Sequence, residues 1–96
     1  MRNKDYPRWR RSVYVSNLNW NAEEWHLDEF FCDCGEILAI RIIRDNDGRS
    51  RGFAFVEFLE RRAATKALYK AETEFLGRNV NVKMSTPPKR RFPQEG

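Results

Sequence analysis

Apolar residues along this chain switch between a spacing of two and a spacing near 3.6, and each switch marks a predicted element. Val13 and Val15 alternate with Tyr14 and Ser16, which predicts a strand with one apolar face. A loop, Asn19-Trp20-Asn21, follows, and Asn21 with Glu24 three residues on is expected to open a helix as an N-cap pair. Leu27, Phe30, Phe31 and Cys34 then fall on one buried stripe, with Gly35 as the stop. Residues 37–43 are rich in β-branched side chains and predict a second strand, Ile40 and Ile42 inward, Arg41 and Ile43 outward. Asp47-Gly48 signals a hairpin into residues 51–58, which alternate again.

Ala64, Ala67, Leu68 and Ala71 predict a second helix within 60–71, small enough on one side to approach a sheet closely. Phe75-Leu76-Gly77-Arg78 reads as a turn, and Val80, Val82 and Met84 alternate with Asn79, Asn81 and Lys83 in a last strand with a polar outer face. The order β-α-β-β-α-β predicts an α+β fold of the ferredoxin-like kind: a four-stranded antiparallel sheet with two helices packed on one face.

One strand carries more than a fold. Arg51-Gly52-Phe53-Ala54-Phe55-Val56-Glu57-Phe58 matches at every position the pattern K/R-G-F/Y-G/A-F-V-x-F/Y. Its period of two turns Ala54, Val56 and Phe58 inward, and places Arg51, Phe53, Phe55 and Glu57 on the water-facing side, alternate residues roughly 6.5–7 Å apart. Two phenyl rings on an open surface need a reason. At these residues the chain resembles the RNA recognition motif family, whose sheet aromatics stack the bases of single-stranded RNA. The resemblance calls for a second, upstream element, and Val13-Tyr14-Val15-Ser16-Asn17-Leu18 supplies it, starting 38 residues before the octamer. It extends over residues 12–84.

The resemblance implies that Tyr14, Phe53 and Phe55 stack bases and that Arg51 meets a phosphate, as could Arg49 and Lys83. Base edges need donors and acceptors, and the outward residues Arg41, Ser16, Glu57, Asn81 and Lys83 provide them, beside Ile43. Such a module is expected to be monomeric and to bind two to four nucleotides of single-stranded RNA at about micromolar strength. It would belong to a larger protein of RNA processing, splicing, editing or mRNA regulation. The hairpin loop is short for the family.

Charge alters this picture by its placement. The net +4 divides into +4 over residues 1–11, −2 over 12–84 and +2 over 85–96. A basic flexible arm (1–11) and a Pro-rich basic tail (85–96) are therefore expected to flank a slightly acidic domain, with Arg10 and Arg11 of the arm reaching phosphates. Tyr6 and Trp9 in the arm suit either a base or the domain surface. Lys89-Arg90-Arg91 is a short candidate nuclear-localisation patch. A charged N-terminus without an apolar segment behind it leads to the expectation of no signal peptide and a reducing, intracellular setting, nuclear first, with shuttling, cytoplasmic and organellar settings as alternatives. No apolar run approaches the roughly 18 residues of a membrane span.

Other functions fit less well. Cys32 and Cys34 with His26 lack a fourth ligand, so no metal or other cofactor is expected; Cys34 is assigned to the core and Cys32 to the surface. An acylphosphatase-like enzyme on this plan needs a phosphate-cradling loop after the first strand, and Asn17-Leu18-Asn19-Trp20-Asn21 has no glycine for it, so no catalysis is expected. The main alternative is a protein-binding member of the family. That subclass typically loses the sheet aromatics and places Arg-x-Phe before the last strand, where this chain reads Glu74-Phe75-Leu76. The acidic first helix with Trp25 marks the surface such a protein partner would use.

Overall fold

The computed structural model describes residues 7–86. A single 3-10 turn, Arg8–Arg11, leads into strand β1 (Ser12–Ser16), helix α1 (Glu24–Phe31), strands β2 (Ile37–Arg44) and β3 (Ser50–Phe58), and helix α2 (Arg61–Ala67). A 3-10 turn, Leu68–Lys70, continues α2, and strands β4 (Thr73–Phe75) and β5 (Arg78–Met84) close the fold. The strands form one antiparallel sheet in the order β2-β3-β1-β5-β4.

The alternation read along β1 and β3 is the alternation of burial. Val13, Val15, Ala54, Val56 and Phe58 are fully buried, and Tyr14, Ser16, Phe53, Phe55 and Glu57 on the other face are part-exposed. Leu27 and Phe31 of α1 and Ala63, Ala64 and Ala67 of α2 join them in one core, so both helices cover the same face. Phe31 meets Phe58 edge-on at 6.2 Å between centroids. The alanines bring α2 so near that a Cβ on Gly35 would stand 2.5 Å from Ala63 Cβ. Glycine is required there by proximity.

Four expectations need correction. The sheet has five strands: Phe75-Leu76-Gly77-Arg78 is the tip of a β4–β5 hairpin, Thr73 pairing with Val80 and Phe75 with Arg78. Leu76 and Gly77 both have positive φ, 51° and 84°, which is the twist a two-residue hairpin turn demands. Phe75 is buried by this pairing, its ring 4.5 Å from that of Phe30, a burial that a turn assignment hides.

The first helix starts later than Asn21. The Asn21 amide donates to Asn19 Oδ1 at 2.8 Å, so Asn19 forms the turn, and Glu23 caps α1 with its carboxylate on the His26 amide while the Glu23 amide donates to His26 Nδ1. The second helix is regular only to Ala67 and tightens into the 3-10 turn.

Residues 8–11, expected without an element in the arm over 1–11, form a 3-10 turn that contacts the domain. Arg11, only 12% exposed, donates to Glu57 Oε2 at 3.0 Å and to Phe58 O at 2.8 Å, and the Ser12 hydroxyl donates to Arg8 O at 2.7 Å. The cause is Glu57, a carboxylate on the sheet that draws the flanking guanidinium groups onto it. Residues 1–6 and 87–96, including Tyr6 and Lys89-Arg90-Arg91, lie outside the described residues.

Candidate nucleic-acid interface

The uncovered face of the sheet is organised in rows that run across the strands. β2 and β3 pair Arg41 with Phe55, β3 and β1 pair Phe55 with Tyr14, and β1 and β5 pair Tyr14 with Lys83. One row therefore reads Arg41, Phe55, Tyr14, Lys83, a cation at each end and two rings between. The next reads Phe53, Ser16, Asn81. Register produces these rows, since a slip of one residue would turn every ring inward.

The three rings touch. Tyr14 lies 5.7 Å from Phe53 and 5.2 Å from Phe55 between centroids, tilted 45° and 51°. Mutual shielding leaves each half-buried and lowers the cost of placing aromatic surface toward water. The Arg41 guanidinium stands 5.9 Å from the Phe55 centroid and that of Arg51 6.0 Å from Phe53, both within cation–π range. Ile43, half-buried, lies where β2 shifts register between Ile42 and Arg44. Lys83 and Asn81 are exposed on β5.

Gly52 makes this strand possible. Its φ of 85° is unfavourable for any residue with a Cβ, and its carbonyl accepts from the Leu18 amide at 2.9 Å, tying β3 to the segment after β1.

Not every basic candidate joins the face. Arg49 is held in its own hairpin by Asp47 at 2.8 Å and Asp45 at 3.8 Å. Arg44, its neighbour, is paired with Glu24 at 3.3 Å. Arg10 lies over the Trp9 ring at 5.8 Å, and Trp9 is half-buried. Arg11 is committed to Glu57 and Phe58, and Arg8, 80% exposed, approaches the same carboxylate at 3.4 Å. The acidic charge of Glu57, two residues along β3 from the row that holds Arg41 and Lys83, is thereby offset.

Sequence reasoning did not find this Arg8–Glu57–Arg11 cluster. The charge runs were visible, but 46 residues separate Arg11 from Glu57 and only the fold brings them together. Among the described residues no group of His, Cys, Asp and Glu side chains is arranged to hold a metal ion, and no helix is long and apolar enough to cross a membrane.

Comparison with known proteins places these features in context. The family model described as RNA recognition motif matches residues 13–81. Human RNA-binding protein 34 is 38% identical over 87 residues, 90% of this chain, and the chain spans only 20% of that relative's length. Among solved structures, an Sxl-lethal protein/RNA complex is 30% identical with a TM-score of 0.74, over 79% of this chain and 48% of the other. The crystal structure of RNA binding protein PG1 is 34% identical with a TM-score of 0.77, over 83% of this chain and 99% of the other.

Proposed function

The chain belongs to the RNA recognition motif family, and on that premise we propose that it is a single-stranded RNA-binding module acting without catalysis. The observation that carries this reading is the row Arg41, Phe55, Tyr14, Lys83. Unpaired bases present flat faces, and tilted rings 5–6 Å apart at Tyr14, Phe53 and Phe55 offer successive stacking surfaces worth about 1–3 kcal/mol each. Arg41 and Arg51, already beside two of these rings, extend the platform and meet the backbone charge; Asn81 and Lys83 address base edges and phosphate.

Arg51 and Lys83 serve phosphates better than Arg49, Arg10 or Arg11, because neither makes an ion pair among the described residues. Phosphate contacts on the domain would then come mainly from the sheet, with Arg8 at its margin. A similar structure solved as a protein/RNA complex supports the ligand class. We also propose that the domain acts as a monomer inside a longer RNA-processing protein in the nucleus, which imaging of the tagged full-length protein would read directly.

Titration of a labelled random single-stranded RNA pool, followed by fluorescence anisotropy, tests the proposal. Saturable, salt-sensitive binding near micromolar protein is expected; none up to about 1 mM, a free energy weaker than about −4 kcal/mol, would sink it. A protein contact on α1 is a second reading, favoured by one observation: Trp25 is 58% exposed and stacked on His26 at 3.9 Å, away from the core.

A further inference from the structure

Strand β5 ends where the chain changes character. Met84 pairs with Val13, the Ser85 amide donates to Ser12 O at 3.0 Å, and Thr86, one residue on, is exposed. In sequence Pro87, Pro88 and Lys89 follow. Neither proline has an amide hydrogen with which to extend a ladder, and Pro87 disfavours helical backbone at Thr86. A hydroxyl is thus offered on extended backbone just past the tie between Ser85 and Ser12.

Other hydroxyls of the domain are placed differently. Ser12 is 4% exposed, its hydroxyl on Arg8 O; Ser50 Oγ accepts from the Gly52 amide at 3.0 Å; Thr65 Oγ1 donates to Arg61 O at 3.2 Å within α2. Ser16 and Thr73 lie inside strands β1 and β4. A kinase closes on an extended acceptor segment, which a helix or a paired strand releases only by local unfolding. Thr86 is also the one serine or threonine of the chain that precedes a proline, and Lys89 stands three residues after it. An enzyme that seats a pyrrolidine ring beside the acceptor and a cation three residues on selects that combination.

We propose that Thr86 is a phosphorylation site for a proline-directed serine/threonine kinase, and that the phosphate weakens RNA binding. ATP is the donor: the bond from the γ-phosphorus to the β,γ-bridging oxygen breaks as Thr86 Oγ1 bonds to the phosphorus, ADP leaves, and the hydroxyl proton passes to a base of the kinase. The product adds about −1.5 to −2 of charge to a domain that already carries −2 over residues 12–84. By period Thr86 shares the phase of Met84 and not of Lys83, so the phosphate stands at the end of the sheet rather than on its ring face. It acts through space on an RNA phosphate held by Lys83, about 10 Å back along the strand. That distance is about one Debye length at 0.1 M salt, so the repulsion is salt-dependent. This consequence rests on the RNA-binding reading above; the modification does not.

The full chain is incubated with ATP, Mg²⁺ and a purified cyclin-dependent kinase, beside Thr86→Ala, Ser85→Ala and Pro87→Ala, and intact masses are read. The parent and Ser85→Ala should each gain one phosphate, Thr86→Ala and Pro87→Ala none. An unmodified parent, a Thr86→Ala chain phosphorylated like the parent, or a Pro87→Ala chain that keeps the parent's rate would overturn the site. Phosphorylated and unmodified parent are then compared by anisotropy with random single-stranded RNA hexamers. Binding should weaken by about 2- to 3-fold at about 0.01 M salt and by under about 1.5-fold at about 0.15 M, as Coulomb repulsion at that distance requires. Equal affinities at low salt would overturn the effect on RNA while the site stood. If the unmodified parent bound no RNA, the RNA-binding premise would fall, and the mass measurement would still decide the site.

Discussion

Phe55 and Val56 are neighbours on one strand whose truncation should produce opposite phenotypes. Val56 is fully buried in the core, paired with Val13 on β1 and Ile40 on β2. Val56→Ala removes two methyl groups from a site closed on all sides, at about 0.8 kcal/mol each for transfer, and the cavity left behind raises the total to about 2–3 kcal/mol. For a domain of this size that lowers Tm by roughly 8–24 °C. Phe55 is half-buried between Tyr14 at 5.2 Å and the Arg41 guanidinium at 5.9 Å, and no core atom depends on it. Phe55→Ala loses one ring pair and one cation–π contact, together about 1–2 kcal/mol of stability. Its larger effect is on RNA, about 1–3 kcal/mol of a total near 8 kcal/mol at micromolar strength. Differential scanning calorimetry and anisotropy on the same two variants separate the effects. A Phe55→Ala protein that melts far below the parent yet binds RNA unchanged, beside a Val56→Ala protein with the reverse behaviour, would mean that the functional and core faces of β3 had been exchanged.

Gly35→Ala should destabilise by about 1–3 kcal/mol in urea, because the added Cβ collides with Ala63 at 2.5 Å; an unchanged midpoint would refute the close approach of α2. Arg11→Ala strips a half-buried carboxylate of its main partner and a carbonyl of its donor, so it should cost about 1–3 kcal/mol, whereas Arg8→Ala, on an exposed pair, should cost less than about 1. Equal losses in urea melts would show that the pairing does not distinguish them. Burial, then the Asp33 carboxylate, push the Cys34 thiol upward from its ordinary value, while Cys32 is exposed, so a thiol reagent at neutral pH should modify Cys32 at once and Cys34 only on unfolding. Since the folded state holds the Cys34 proton more tightly than the unfolded chain, this contribution to stability is complete below the ordinary thiol range and is lost as pH rises above it; a Cys34→Ala variant should show a weaker alkaline decline in Tm.

Much of this protein is decided by local pattern. A period of two can bury only one side of a strand, so Val13, Val15, Ala54, Val56 and Phe58 were bound to face the core and Tyr14, Phe53 and Phe55 to face away. The stripe Leu27, Phe30, Phe31, Cys34 is equally readable, with Phe30 only partly buried against the core, because a helix shows one side of every turn to its neighbour. Long-range partners have no such signature. Nothing near Arg11 tells that Glu57 will take it, and nothing near Trp20 that Gly52 will lie beneath its edge. Short elements escape for a different reason: Thr73–Phe75 spans too few residues to show a period, and only pairing with the start of β5 makes it a strand. The sequence by itself determined which rings and cations could face a ligand, because side-chain direction follows from backbone period alone. Which of the flanking cations are held in ion pairs across the fold only the tertiary structure decided, because Arg11 and Glu57 stand 46 residues apart along the chain.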